Sequence, residues 1–174
     1  MCGENQGILE AIRNRRSIRE FTDETVGLAD LKRIVEAGIW APSGKNNQPC
    51  RFVLITDQDV RGQVAEQTIY TGMVNGAPAL IAVYVDESVM YDQVKDHQSA
   101  GAALQNMLLA AEALGLGSVW LGQILKNKTE VSRILGVGAQ YDLMAVVVIG
   151  HPLHRNQTSQ RMEFDHFILG QFGG

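Results

Sequence analysis

The chain has 174 residues, a formal net charge of -4 and a pI near 5.5, with 45% apolar and 20% charged residues. That length supports one domain, residues 1–174, burying roughly 70% of the surface its unfolded form exposes, and the balance is that of a globular chain rather than a disordered or fibrous one. Slight acidity excludes a general nucleic-acid binder, and two cysteines, Cys2 and Cys50, without a CxxC exclude a disulfide framework and a structural zinc site.

No basic-then-apolar leader opens the sequence and no apolar run reaches the roughly 20 residues of a membrane span, which predicts a cytoplasmic protein with no membrane partner. Over residues 7–16, Ile8, Leu9 and Ile12 keep helical spacing and predict a short amphipathic helix. It ends in Arg13-Asn-Arg15-Arg16-Ser17-Ile18-Arg19-Glu20-Phe21, four arginines and a serine within seven residues of an acidic chain. If the backbone is extended there, Arg15, Ser17 and Arg19 share one side at steps of roughly 6 to 7 Å. Two guanidinium forks and a hydroxyl suit a phosphate. The competing reading is a solvated basic face, or ion pairs with Glu10, Glu20 and Glu24. A helix C-terminus precedes the cluster and favours the arginines, not an anion, so an anion there is held by side chains.

Residues 28–39 predict a second helix, broken at Ala41-Pro42. Residues 42–49 form a loop dense in amide groups. Gly44-Lys45 is no P-loop, because residue 39 is not glycine and no Ser or Thr follows the lysine. Residues 51–56, 79–85 and 143–149 are buried-strand candidates, residues 57–67 and 129–135 helices, and residues 70–78 a loop; residues 90–98 fit no single pattern. Residues 99–114 form the most apolar helix, with Gln98, Gln105 and Glu112 recurring every seven residues as one polar stripe and Asn106 beside it. Such a helix belongs either at a subunit interface or at the centre of the core. Residues 115–122, Gly-Leu-Gly-Ser-Val-Trp-Leu-Gly, read as a glycine-rich turn; they follow a helix and miss the register of a dinucleotide fingerprint.

His151 and His154 straddle Pro152 with no acidic ligand clustered nearby, which makes a poor metal site, and no catalytic triad can be read from residue order. A basic anion clamp, an amide-rich loop and a glycine-rich turn, with no obvious protein nucleophile, together suggest a bound cofactor that carries the chemistry.

Five motifs in order extend along almost the whole chain: Arg15-Arg16-Ser17-Ile18-Arg19 with Phe21; Ala41-Pro42-Ser43-Gly44-Lys45-Asn46-Asn47-Gln48-Pro49; Gly76-Ala77-Pro78-Ala79-Leu80; Gly101 to Gln105-Asn106; and Gly115-Leu-Gly117 running into Trp120-Leu121-Gly122. Their order and spacing closely resemble the FMN-dependent nitroreductase family. The resemblance implies an α+β fold, a mostly antiparallel sheet flanked by helices, in an intertwined homodimer with two FMN sites at the subunit interface. It implies that Arg15, Arg16, Ser17 and Arg19 hold the FMN phosphate and ribityl chain, with Arg161 as a further phosphate contact. Pro42, Ser43, Gly44 and Asn46 would reach the flavin from the other subunit, Asn75 would hydrogen-bond the ring, and Leu121 and Gly122 would bring a backbone N–H near flavin N5. The implied activity is hydride transfer from NADH or NADPH through FMN to a nitroaromatic, quinone or similar small acceptor. A flavin store with little turnover, or a relative with dehalogenating or biosynthetic oxidase activity, is the alternative. Cys50 replaces an aromatic residue common after Gln-Pro, Ser159 a basic residue two before Arg161, and residues 87–98 would be the variable segment that covers the flavin.

Overall fold

The structure is a computed structural model that describes residues 6–173. Cys2 and Gly174 lie outside the described residues. The chain runs α1 (Gln6–Asn14), α2 (Leu28–Ile39), β1 (Cys50–Ile55), α3 (Gln58–Ala65), α4 (Thr71–Asn75), β2 (Ala79–Asp86), α5 (Gln93–Ala113), β3 (Gly117–Leu121), α6 (Lys128–Ile134) and β4 (Tyr141–Gly150). The strands form one antiparallel sheet in the order β1-β2-β4-β3. This is the α+β arrangement that the motifs imply.

The two central strands explain the layering. Every residue of β2 is buried, and successive side chains of a strand point to opposite faces. Leu80, Ala82 and Tyr84 enter one apolar cluster with Val64 of α3, Val74 of α4 and Val131 of α6. Ala79, Ile81 and Val83 enter the other, with Leu31 and Ile34 of α2 and Leu104, Met107 and Leu108 of α5. Helices therefore cover both faces, and the central strands read as unbroken apolar runs rather than alternating ones. A bulge between Val83 and Tyr84 shifts the β2–β4 register, from Val83 opposite Ala145 to Tyr84 opposite Leu143.

Three elements differ from the sequence-based expectation. Residues 117–121 form the edge strand β3, paired from Gly117 opposite Gly150 to Leu121 opposite Val146, where the glycines suggest a turn. Residues 71–75, expected as loop, form the short helix α4. Helix α5 starts at Gln93, six residues before the expected 99, because Asp92 caps it by accepting from the Lys95 N–H at 3.0 Å. It closes on Gly115 at φ 74, with Leu116 N–H to Ala111 O at 2.9 Å and Gly115 N–H to Glu112 O at 3.0 Å, the bond pair that reverses a chain at a helix end. The polar stripe of α5 is its outer edge: Gln98 and Gln105 are exposed, Asn106 donates to Ala37 O at 3.1 Å, and Glu112 meets Arg155 at 2.9 Å.

The loop of residues 42–49 is tied to α5 through Asp96, which is fully buried. One carboxylate oxygen accepts from Asn47 Nδ2 at 2.8 Å, the other from the Tyr91 and Asp92 N–H groups at 3.0 and 3.1 Å. Burial acts to raise this carboxyl, but the hydrogen bonds from Asn47, Asp92 and Tyr91 outweigh it and hold it below the ordinary 3.8. Removing it leaves three donors without an acceptor, so Asp96→Ala should cost about 3 kcal/mol in urea denaturation. A carboxylate depressed on folding contributes in full above its unfolded value and loses that contribution as pH falls through its folded value. The stability gap between wild type and Asp96→Asn should therefore narrow below about pH 4.

Candidate functional site

The arginine stretch leaves α1 and runs along the outer edge of β3. Arg15 N–H still closes on Ala11 O at 2.9 Å, so the extended run begins only after it. Ser17 forms a parallel bridge with Ser118, Ile18 N–H donates to Ser118 O at 3.0 Å, and Phe21 bridges Pro152. Ile18 is 1% exposed and lies against Gly117, where a Cβ would meet its Cβ and Cγ2 at 2.8 Å. With Ile18 turned inward, alternation turns Ser17 and Arg19 away from the core. Arg19 is exposed, with its guanidinium 3.4 Å from Ser17 O, and Arg15, Arg16 and Ser17 are half-buried. Arg16 folds back to the carbonyls that end α1, donating to Arg13 O at 2.5 Å and Arg15 O at 2.9 Å, a site favoured by the negative end of the helix. Its Nε is buried with no hydrogen-bond partner among the described residues.

Arg19 borders a cleft of about 170 Å³ whose other walls are Tyr70, Met73, Val119, Trp120, Leu121, Gly122 and Gln123. Two side chains explain its shape. The Leu121 side chain is buried in the core, so only its backbone is left to face the cleft. Gln123 Oε1 accepts from Thr68 Oγ1 at 2.6 Å and Ile69 N–H at 3.2 Å, which holds Tyr70 and Met73 opposite the turn after β3. Gly122 is exposed, and a Cβ there would meet only the Trp120 indole nitrogen, at 3.9 Å.

Other residues singled out in the sequence lie elsewhere in a single chain. Pro42 and Ser43 line a different cleft of about 220 Å³ with Ile39, Gln48, Cys50 and Ser99. A Cβ at Gly44 would overlap the Tyr91 ring. Lys45, Asn46 and Gln48 have φ of 54, 55 and 48, the left-handed region that side chains disfavour. Ser43 Oγ accepts from Gln48 N–H at 3.0 Å and steadies this turn. Asn75 is set apart from the cleft beside Arg19: it lines a third, of about 300 Å³, with Asp23, Thr25, Thr56 and Arg61. A helix through residues 71–75 turns residues 70 and 73 to one side and residue 75 to another. Arg161 sits in the exposed stretch 158–173, donating to the Ser159 hydroxyl and the Gln160 carbonyl. Tyr70, Met73 and Gln123 were not singled out in the sequence.

Burial pushes the Cys50 thiol up to about 11 against the opposing influence of Arg51, so it is no thiolate nucleophile near neutral pH. Among the described residues, no cluster of His, Cys, Asp or Glu could hold a metal ion, and no helix is long and apolar enough to cross a membrane.

The sequence profile of the nitroreductase family matches residues 12–70 and 63–151. The chain belongs to the nitroreductase family. Within that family it is 33% identical to a candidate NADH dehydrogenase/NAD(P)H nitroreductase of Archaeoglobus fulgidus, over 83% of this chain and 84% of the relative. It is 28% identical to the FMN reductase [NAD(P)H] of Bacillus subtilis, over 89% of this chain and 70% of that protein. Among solved structures, a candidate nitroreductase of Desulfovibrio desulfuricans in complex with FMN is 46% identical and superposes with a TM-score of 0.90, covering 96% of this chain and 98% of that one.

In this nitroreductase-family chain the position of the arginine stretch depends on the closeness of Ile18 and Gly117. Gly117→Ala should push the stretch off β3 and destabilise the protein by about 1 to 3 kcal/mol, the usual cost of overpacking, measured by urea denaturation; Gly122→Ala, whose Cβ makes only an ordinary contact with the Trp120 indole, should leave stability nearly unchanged.

Proposed function

We propose that this protein is an FMN-dependent oxidoreductase that takes a hydride from NADH or NADPH and passes it to a nitroaromatic, quinone or similar small acceptor. The observation that carries the reading is the cleft between Arg19 and the Leu121-Gly122 turn, in a chain 46% identical to one solved with FMN. The residues present suit a flavin nucleotide. Arg16 buries a donor that lacks a partner, as a bound phosphate would supply, and Gly122 leaves its backbone open to close approach. Bound FMN would supply the two-electron chemistry.

The protein's own residues bind, orient and polarise. Arg15, Arg16, Ser17 and Arg19 would hold the phosphate and ribityl chain through charge-assisted bonds. The backbone of Leu121 and Gly122 would place an N–H donor beside the ring, where it stabilises negative charge without a side chain acting as nucleophile. Tyr70 and Trp120 offer flat apolar surface for an aromatic acceptor. A cytoplasmic location, with its supply of reduced nicotinamide nucleotides, belongs to the same reading.

The active form in this reading is an intertwined homodimer. Its support is apolar surface that one chain leaves uncovered: Ile8, Leu9 and Ile12 on α1, Trp40 after α2, and Phe164, Phe167, Leu169 and Phe172 in the C-terminal stretch are all exposed. A second copy would cover them, bring Pro42, Ser43, Gly44 and Asn46 to the cleft of its neighbour, and place Arg161 near a phosphate.

Purified protein should carry flavin or recover it from added FMN. Under anaerobic conditions NADH or NADPH should bleach the flavin absorbance, and an acceptor should restore it. Protein that neither holds nor regains flavin would overturn the proposal, and flavin that the nucleotides fail to bleach would point to a store. Arg19→Ala should weaken FMN binding by about tenfold, the loss of one charge-assisted bond. Light scattering should give twice the 19.1 kDa chain mass, and truncation after Arg155 should lower both that mass and the flavin content.

A further inference from the structure

We propose that Lys45 selects acceptors bearing a carboxylate or comparable anionic group, so that the substrates of this enzyme are aromatic anions. The inference rests on the reading above that residues 42–46 reach the cleft of the neighbouring copy. Lys45 is exposed, lies between Gly44 and Asn46, and holds φ at 54. Its ammonium sits 4.8 Å from the centroid of the Tyr91 ring, and that of Lys95 sits 5.3 Å from the same ring. An aromatic face at that range attracts a cation and fixes where it stands.

The two lysines differ in their compensation. Lys95 meets Asp92 at 3.5 Å. The other carboxylate of this cluster, Asp96, is buried and gives both oxygens to Asn47 and the backbone of Tyr91 and Asp92. Lys45 pairs with no carboxylate among the described residues. The cleft it would approach has no carboxylate in its walls either, while Tyr70, Met73 and Trp120 give it apolar and aromatic surface. Flat walls suit an aromatic ring, and an uncompensated ammonium brought to their rim suits an anionic substituent on that ring.

The test uses the FMN-loaded protein as wild type, Lys45→Gln and Lys45→Gly. The glycine variant relieves the left-handed backbone, so it keeps its fold while losing the charge; FMN content and melting temperature verify this. Calorimetric titration should show wild type binding benzoate more tightly than benzamide, with a preference that shrinks as salt is added. Both variants should lose about tenfold in benzoate affinity, the scale of one charge-assisted bond, with benzamide unaffected. With para-nitrobenzoate and para-nitrobenzamide as acceptors, the same loss should appear in KM and not in kcat, for the carboxylate alone. Equal binding of acid and amide by wild type, an unchanged ratio in both variants, or a loss that falls on the nicotinamide donor instead would each overturn the proposal. Reduction of para-nitrobenzamide by wild type with an unchanged ratio would leave the oxidoreductase reading standing, whereas absence of flavin would remove both.

Discussion

The contact on which the site depends is apolar. Ile18 is driven under the edge of β3, against a residue with no side chain, and its N–H is satisfied by Ser118 O at 3.0 Å. Burying one isoleucine stabilises by about 2 kcal/mol, more than any single exposed ion pair among the neighbouring arginines would contribute. The arginines are positioned by the residue between them. Because strand geometry alternates, an inward Ile18 fixes an outward Ser17 and Arg19 without any contact of their own to the core. Among the described residues no carboxylate pairs with Arg15, Arg16 or Arg19, so their charge is left for a ligand, which a lattice of structural salt bridges would not allow.

A second device separates folding from binding in the same way. Asp96 is a buried charge surrounded by donors, and it commits Asn47 to the protein interior while its neighbour Asn46 stays exposed. The left-handed backbone at Lys45 and Asn46 costs on the order of 1 kcal/mol per residue, and it persists because both ends of the turn are held, by Ser43 Oγ to Gln48 and by Asn47 to Val89 O and Asp96. Strain of this kind survives where the surroundings over-determine it.

What the sequence makes legible follows from how strongly each element repeats a pattern. The runs at 79–85 and 143–149 are unbroken because both faces of those strands are covered, and α2 and α5 keep a helical period over three turns or more. Strand β3 breaks the pattern for a packing reason. Its first residue must be glycine to admit Ile18, and Gly115 just before it must take φ 74 to reverse the chain, so two glycines that serve different neighbours look like one flexible turn. Helix α4 has too few residues to declare a phase, so the sequence does not show that residues 70 and 73 border one cleft while Asn75 lines another. Gln123 was invisible for another reason: its importance lies in one amide holding Thr68 and Ile69, fifty-odd residues away in sequence.

The C-terminal stretch sets the limit on what one chain can accomplish. Arg155 fastens its start to Glu112 and to Leu116 O, at 2.9 and 3.2 Å, and beyond it Leu169 and Phe172 are as exposed as residues can be. Covering Phe164, Phe167, Ile168, Leu169 and Phe172 would be worth roughly 10 kcal/mol in gross burial, comparable to the whole stability of a domain this size. In the proposed homodimer that term becomes available only when two copies meet, and the same meeting would complete each cleft with residues 42–46 of the other. Flavin affinity and association would then be thermodynamically linked: FMN binding only the assembled form would favour assembly, and a subunit lost to dilution would release its cofactor. In that assembly the surface that would complete each cleft is also the one that would hold the two copies together, so cofactor binding and association would share one set of contacts.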